Sequence, residues 1–155
     1  MKTASGSWPL SSITLTVAGV TLVAMGLYFI LLRPVLLPED IGYINLSTAE
    51  AEVVGPRMGA WLTQVFRVMG GYSVASGALT IALASTSFRE HRSGAAVGAL
   101  IGGATSIGWM MAVNFMIGSE FRWVLFGMAL LWACGVGVFW WEKRRATSRD
   151  STVPG

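Results

Sequence analysis

Four uncharged, apolar stretches of 19 to 25 residues constrain this chain more than any other feature. They cover residues 12–32, 68–88, 94–118 and 123–141, and none contains Asp, Glu, Lys, Arg or His. A helix needs about 20 predominantly apolar residues to cross the hydrocarbon core of a bilayer. Charged residues make up 12% of the chain, about half the proportion that is usual in soluble domains. The sequence therefore predicts an all-α protein, a bundle of four transmembrane helices.

The basic residues predict the orientation of this bundle. Seven Lys and Arg residues lie on the side of the two termini, and four lie on the opposite side. Because cytoplasmic flanks carry the excess of Lys and Arg, both termini are expected in the cytoplasm. The seven are Lys2, Arg89, Arg92, Lys143, Arg144, Arg145 and Arg149; the four are Arg33, Arg57, Arg67 and Arg122.

The segments between the spans are short, apart from one external stretch. Residues 1–11 and 142–155 form the termini, the second predicted to be unstructured, and 89–93 and 119–122 form tight connections. In the external segment 33–56, Pro38 is suited to open a short helix, and Ser47 or Thr48 to cap another. Gly55-Pro56 is expected to break that second helix. The second span then begins at residue 57, so that 57–88 projects its first turns beyond the core. The first span is expected to be a retained anchor, since its apolar run is longer than that of a signal peptide.

Small residues recur at a spacing of four in the third span. Gly94, Gly98, Gly102 and Ser106 share one helix face, and Gly71 and Ala75 form a shorter pair in the second span. Such faces let two helices approach closely in lipid. The stripe is interpreted as packing within the bundle or, alternatively, as a face for a partner subunit or a second copy.

Several classes of function are disfavoured by what the sequence contains. Cys134 is the single cysteine, and His91, the single histidine, is interpreted as a solvated residue of the second connection. One of each is too few for a disulfide, a zinc site or bis-histidine haem ligation. The spans contain no Asp, Glu, Lys, Arg or His and no proline, whereas proton-coupled carriers place a carboxylate at that depth. No enzyme motif, metal site, cofactor or nucleic-acid partner is predicted.

The most suggestive polar residues gather near the external ends of the helices. Arg67 is predicted to lie at the interface, paired with Glu120 or Glu52 if its role is structural. The candidate set is an external cup made of Tyr28, Gln64, Arg67, Tyr72, Asn114, Glu120 and Arg122. The cup is interpreted either as a network that holds helix ends together or as a site for a headgroup, a quinone or a small anion. In the second case Arg67 supplies the charge, because its guanidinium suits carboxylates and phosphates.

The sequence resembles one group of proteins in the stretch Arg67-Val-Met-Gly-Gly-Tyr72. Gly77 follows this stretch, and an apolar segment with Pro38 precedes it. The proteins of this group are uncharacterised four-helix bacterial membrane proteins of the domain-of-unknown-function type. The resemblance covers roughly the first two spans. It implies a four-helix fold in a bacterial inner membrane, and it implies no activity.

The sequence favours a non-catalytic protein that acts as an accessory or assembly subunit of a larger membrane complex. The alternative is a lipid- or quinone-binding module with its site at the external helix ends. An enzyme that acts on a lipid headgroup ranks third, because the sequence shows no nucleophile paired with a base. The lipid bilayer and a protein partner or second copy are the expected contacts.

Overall fold

The computed structural model describes residues 8–45 and 47–150, and for residues 48, 51, 54, 57, 149 and 150 it describes the backbone only. Within these ranges every regular element is helical. The elements are α1 (Leu10–Leu31), α2 (Pro38–Tyr43), α3 (Thr48–Ser85), α4 (Ser93–Gly103), a π-helical segment (Ala104–Gly108), α5 (Trp109–Met116) and α6 (Arg122–Asp150). The predicted positions of Lys2 and the last five residues, and the side chains of Arg57 and Arg149, lie outside this description.

Four helical stretches are long and apolar enough to cross a membrane: Leu10–Leu31, Met58–Ser85, Ser93–Met116 and Arg122–Ser148. The prediction of four spans is confirmed in these terms. The third stretch is α4, the π segment and α5 joined end to end. The end of the bundle that contains Ser11, His91 and Glu142 is called the terminal end. The opposite end, which contains Arg33, Glu39 and Ser119, is called the α2 end.

Glycines bring α1 and α3 into backbone contact. A Cβ atom added at Gly26 would lie 2.6 Å from the carbonyl oxygen of Gly70, and one added at Gly19 would lie 2.9 Å from that of Gly77. The two pairs are seven residues apart on each helix and run in opposite directions, as antiparallel packing requires. Lipid chains are as apolar as leucine, so close packing of this kind is a principal source of helix association in a membrane.

The third span packs on α6 through a different face from the predicted one. Ala95, Ala99 and Gly103 are buried, and the indole of Trp132 lies against Gly103 while its Nε1–H donates to the carbonyl oxygen of Ala99 at 2.8 Å. A Cβ atom at Gly94 or Gly98 would meet nothing within 4 Å. The packed stripe is thus one residue later than the predicted one, a rotation of about 100° around the helix.

Helix α3 continues through Gly55-Pro56, where the sequence predicts a break. Ser47 and Glu50 form a reciprocal capping box, in which the Glu50 carboxylate accepts from Ser47 N–H at 2.9 Å and from its hydroxyl at 2.6 Å. These bonds hold the pKa of Glu50 below its ordinary value. Pro56 removes the hydrogen bond to the carbonyl of Glu52. Both residues are exposed, so that carbonyl is on the solvated part of the helix and the helix tolerates the loss.

Helix α6 extends nine residues beyond the predicted span, through most of the tail that was expected to be unstructured. Its extension is anchored by Glu142, whose carboxylate accepts from the buried Ser11 hydroxyl at 2.5 Å and lies 3.2 Å from His91 Nε2. The His91 ring also stacks on Phe139 at a centroid distance of 5.4 Å. His91 is therefore half-buried in a clasp between the second connection and α6, and its interpretation as a solvated residue is corrected.

Candidate functional site

A groove separates α3 from the third span. Helix α1 packs along α3 on one side and along α6 on the other, and α6 packs on the third span, whereas α3 and α4 barely touch. The bundle is therefore closed on three sides and open on the fourth. The opening lies between Tyr72 and Trp109, whose side chains are 73% and 67% exposed.

The groove contains a cavity of about 520 Å³ toward the α2 end. Its walls are mainly apolar side chains, among them Met25, Phe66, Met69, Met110 and Val113. A second cavity, of about 310 Å³, adjoins it on the side of the terminal end and shares Ser76, Thr105 and Ser106 with it. A volume of this size falls within the range of cavities that hold small molecules.

Four of the hydroxyl groups along the groove are satisfied by their own helices. Ser73, Thr80, Thr105 and Ser106 each donate to the backbone carbonyl four residues earlier, at 2.5 to 3.0 Å. Thr105 and Ser106 belong to the π segment, and both side chains line the groove. Because these four protons are already donated within the helices, this part of the wall can accept an apolar chain.

The α2 end of the cavity is polar and is built around Asp40. Its Oδ2 atom accepts from Arg33 Nη2 and from the Leu37 N–H, both at 3.0 Å. The Arg33 guanidinium also lies 3.5 Å from the centre of the Phe66 ring and donates to the carbonyl of Pro34. Arg33 thus fixes α2 over this end of the cavity, whereas from the sequence it counts only among the four basic residues of the external side.

Glu39 and Ser119 join α2 to the turn between α5 and α6. Ser119 is buried, and its hydroxyl donates to Glu39 Oε1 at 3.1 Å while accepting from the Phe121 N–H at 3.1 Å. Asn114 lies on the adjoining wall, and its side-chain N–H donates to the carbonyl of Met110 at 2.9 Å. The Ser119 hydroxyl and one N–H group of Asn114 are therefore engaged as donors, whereas the second Glu39 oxygen and the Asn114 side-chain oxygen remain as acceptors.

Comparisons with protein-family models, curated proteins and solved structures find no match to this chain. The resemblance to uncharacterised four-helix bacterial membrane proteins stays a prediction.

The structure brings together three of the seven residues of the predicted cup. Tyr28, Tyr72 and Asn114 line the larger cavity. Gln64 and Arg67 are exposed and do not line the cavity. Arg67 is five residues before Tyr72, which rotates its side chain by about 140° around α3 away from that of Tyr72.

The remaining cup residues lie outside the cavity. Glu120 is exposed, and Arg122 donates from Nη1 to the carbonyl of Gly118 at 2.6 Å. The ion pairs between described side chains are Arg33–Asp40, His91–Glu142 and Arg92–Glu90, so the predicted pairing of Arg67 with Glu120 or Glu52 is not among them.

Sequence reasoning missed the hydroxyl residues of the groove and the role of Glu39. The available signal was a second stripe, Ser73, Ser76 and Thr80, which recurs at the helical spacing of three and four. Thr105 and Ser106 form the matching pair on the third span. Of the predicted small-residue stripes, Gly98, Gly102 and Ser106 line the groove, whereas Gly71 and Ala75 face away from helix contacts.

Proposed function

We propose that the protein binds one amphipathic membrane molecule, with its apolar chain in the groove and its polar head under α2. The observation that carries this proposal is the open side of the bundle, where a cavity of about 520 Å³ with mainly apolar walls ends in charged side chains. This is the lipid-binding alternative of the sequence analysis, with Arg33, Glu39 and Asp40 in place of Arg67.

The dimensions of the cavity agree with a chain from one leaflet. From Asn114 to Thr105 the third span covers nine residues, a rise of about 14 Å, and one leaflet contributes about half of the 30 Å hydrocarbon core. Glu39 and Ser119 lie just beyond the ends of the candidate spans, at the level of headgroups. The opening between Tyr72 and Trp109 gives such a molecule a lateral path from the bilayer.

Filling the groove tests this function. Ser76 lines both cavities, so Ser76→Leu adds two heavy atoms and a branched apolar side chain where the chain would lie. Protein in bilayers would be irradiated with a phospholipid that carries a diazirine in its acyl chain, and the labelled peptides identified by mass spectrometry. We expect labelling of residues 105–113 in the wild type, and a loss of that labelling by roughly tenfold in the variant, which corresponds to about 1.4 kcal/mol.

The matched control is Ala78→Leu, which adds the same side chain to the exposed, lipid-facing surface of α3. Labelling of the groove should persist in this control. Equal labelling in both variants would mean that the probe reports only the ring of lipid around the bundle, and the proposed function would be wrong.

We further infer that the terminal end faces the cytoplasm of a bacterial inner membrane. The excess of Lys and Arg at that end supports this orientation. The aromatic–cation contacts there agree with an interfacial position: Arg145 lies 3.8 Å from the Trp141 ring, and Arg89 lies 5.2 Å from the Trp8 ring. In this orientation the groove takes its ligand from the outer leaflet of that membrane.

A second candidate function, an accessory subunit of a larger membrane complex, is favoured by the exposed glycine face of α4. Open space beside Gly94, which lines neither cavity of the groove, admits a foreign helix at close distance. If this face binds a partner, Gly94→Leu should abolish stoichiometric co-purification of that partner in mild detergent. Gly137→Leu, at an equally open position on α6, should not. Retention of the partner by both variants would exclude the α4 face.

A further inference from the structure

The polar end of the cavity has a distinctive balance of charge. One guanidinium, that of Arg33, and two carboxylates, those of Glu39 and Asp40, line it. Arg33 and Asp40 neutralise each other through their ion pair at 3.0 Å. The carboxylate of Glu39 is left as a net negative charge, with the Ser119 hydroxyl as its hydrogen-bonding partner.

Several hydrogen-bond donors at this end are engaged within the protein. Both terminal nitrogens of Arg33 donate, to Asp40 and to the carbonyls of Pro34 and Val35. One N–H group of Asn114 and the hydroxyl of Ser119 also donate within the protein. Beside the remaining N–H groups of Arg33 and Asn114, the walls offer a ligand the second oxygen of Glu39, the side-chain oxygen of Asn114 and the Tyr28 hydroxyl.

We propose that the ligand is a phospholipid whose head carries a primary amine, and that Glu39 binds the ammonium group. This inference rests on the proposed function and names the class of lipid. A primary ammonium brings three donors and a positive charge, the two properties that complement this end of the cavity. A quaternary ammonium has the charge and no N–H donor, and a head with net negative charge is repelled by Glu39.

The role assigned here to Glu39 differs from a role in holding the fold. Its bond to Ser119 uses one carboxylate oxygen, and glutamine can accept that bond through its own side-chain oxygen. Glu39→Gln therefore keeps the link between α2 and the α5–α6 turn and removes the negative charge from the cavity. A charge-assisted hydrogen bond to an ammonium is about twice as strong as a neutral one, so this single change should be visible in lipid selectivity.

The experiment compares three dioleoyl phospholipids: phosphatidylethanolamine, phosphatidylcholine and phosphatidylglycerol. Each is titrated into delipidated protein in detergent, and binding is measured by native mass spectrometry. We expect the wild type to bind phosphatidylethanolamine about tenfold more tightly than either of the other two, as the loss of one charge-assisted bond implies. In Glu39→Gln the three affinities should converge to within about threefold.

Glu120→Gln is the matched control, because Glu120 is an exposed carboxylate at the same end of the bundle and does not line the cavity. It should keep the wild-type selectivity. Thermal melting of each variant checks that the fold is retained.

Two results would overturn the inference: equal or tighter binding of phosphatidylcholine or phosphatidylglycerol by the wild type, or unchanged selectivity in Glu39→Gln. If all three lipids bind equally and Ser76→Leu weakens each of them, the groove binds lipid and only the assignment of the head is wrong. If none binds above the level of Ser76→Leu, the proposed function is wrong as well.

Discussion

Gly26→Val is expected to lower the free energy of unfolding by about 3 kcal/mol, the upper end of the usual cost of overpacking. A Cβ atom at this position would lie 2.6 Å from the Gly70 carbonyl oxygen and 2.7 Å from the Val74 backbone nitrogen. Both are backbone atoms, so relief requires α1 and α3 to separate. Titration with sodium dodecyl sulfate in mixed micelles, followed by circular dichroism, measures the change.

Gly71→Val is the control for this prediction. It lies on α3 beside Gly70, and a Cβ atom there meets nothing within 4 Å. We expect a change within about 0.5 kcal/mol, as for substitutions away from packed features. If Gly26→Val is tolerated as well as Gly71→Val, the glycine contacts between α1 and α3 do not hold these helices together.

Trp132→Ala is expected to cost about 2–3 kcal/mol in the same assay. Replacing a large aromatic side chain in the core of a soluble protein by alanine costs about 3–5 kcal/mol. Part of that cost comes from the transfer of the side chain out of water, and this part is smaller where lipid surrounds the protein. The Trp132 side chain is 5% exposed, covers Gly103 and donates to the Ala99 carbonyl at 2.8 Å. Its removal therefore leaves a cavity between α6 and the third span.

Trp109→Ala provides the contrast, since its side chain is 67% exposed at the lip of the groove. We expect little change in stability from it. Similar losses for both tryptophans would indicate that Trp132 contributes only as an apolar residue and not as the contact between α6 and the third span.

The spans were predictable because the bilayer imposes them. Residues 12–32 were predicted for α1, which runs Leu10–Leu31, and 94–118 for the stretch that runs Ser93–Met116. Hydrocarbon thickness fixes the length of each apolar run, and the cost of burying a charge fixes its ends. The length and the ends of an apolar run are local properties, so they can be recognised in a single sequence.

The extension of α6 and the continuity of α3 depend on contacts that the local sequence does not display. The tail after Trp141 is polar and lacks an apolar period, yet Glu142 meets Ser11, which lies 131 residues earlier in the chain. Proline at position 56 argues for a break by propensity alone. The capping box at Ser47 and the exposure of the unpaired carbonyl outweigh that preference.

The predicted cup and the cavity lie at the same end of the bundle, and they share only part of their residues. Tyr28, Tyr72 and Asn114 line the cavity, whereas Arg67 does not. Which face of a helix meets its neighbours is decided by tertiary packing, and here Gly70 and Gly77 set the rotation of α3 against α1. The same rotation turns Ser73 and Ser76 toward the third span and Arg67 toward the surroundings.

The open side of the bundle has a mechanical consequence. The chain is two helical hairpins, α1 with α3 and the third span with α6, joined along the seam between α1 and α6. The hydrogen bond from Ser11 to Glu142 joins the two helices at one end of this seam, and Gly135 packs against the backbone of Leu15 within it. Because α3 and the third span barely touch each other, the distance between them can change while the seam between α1 and α6 keeps its packing.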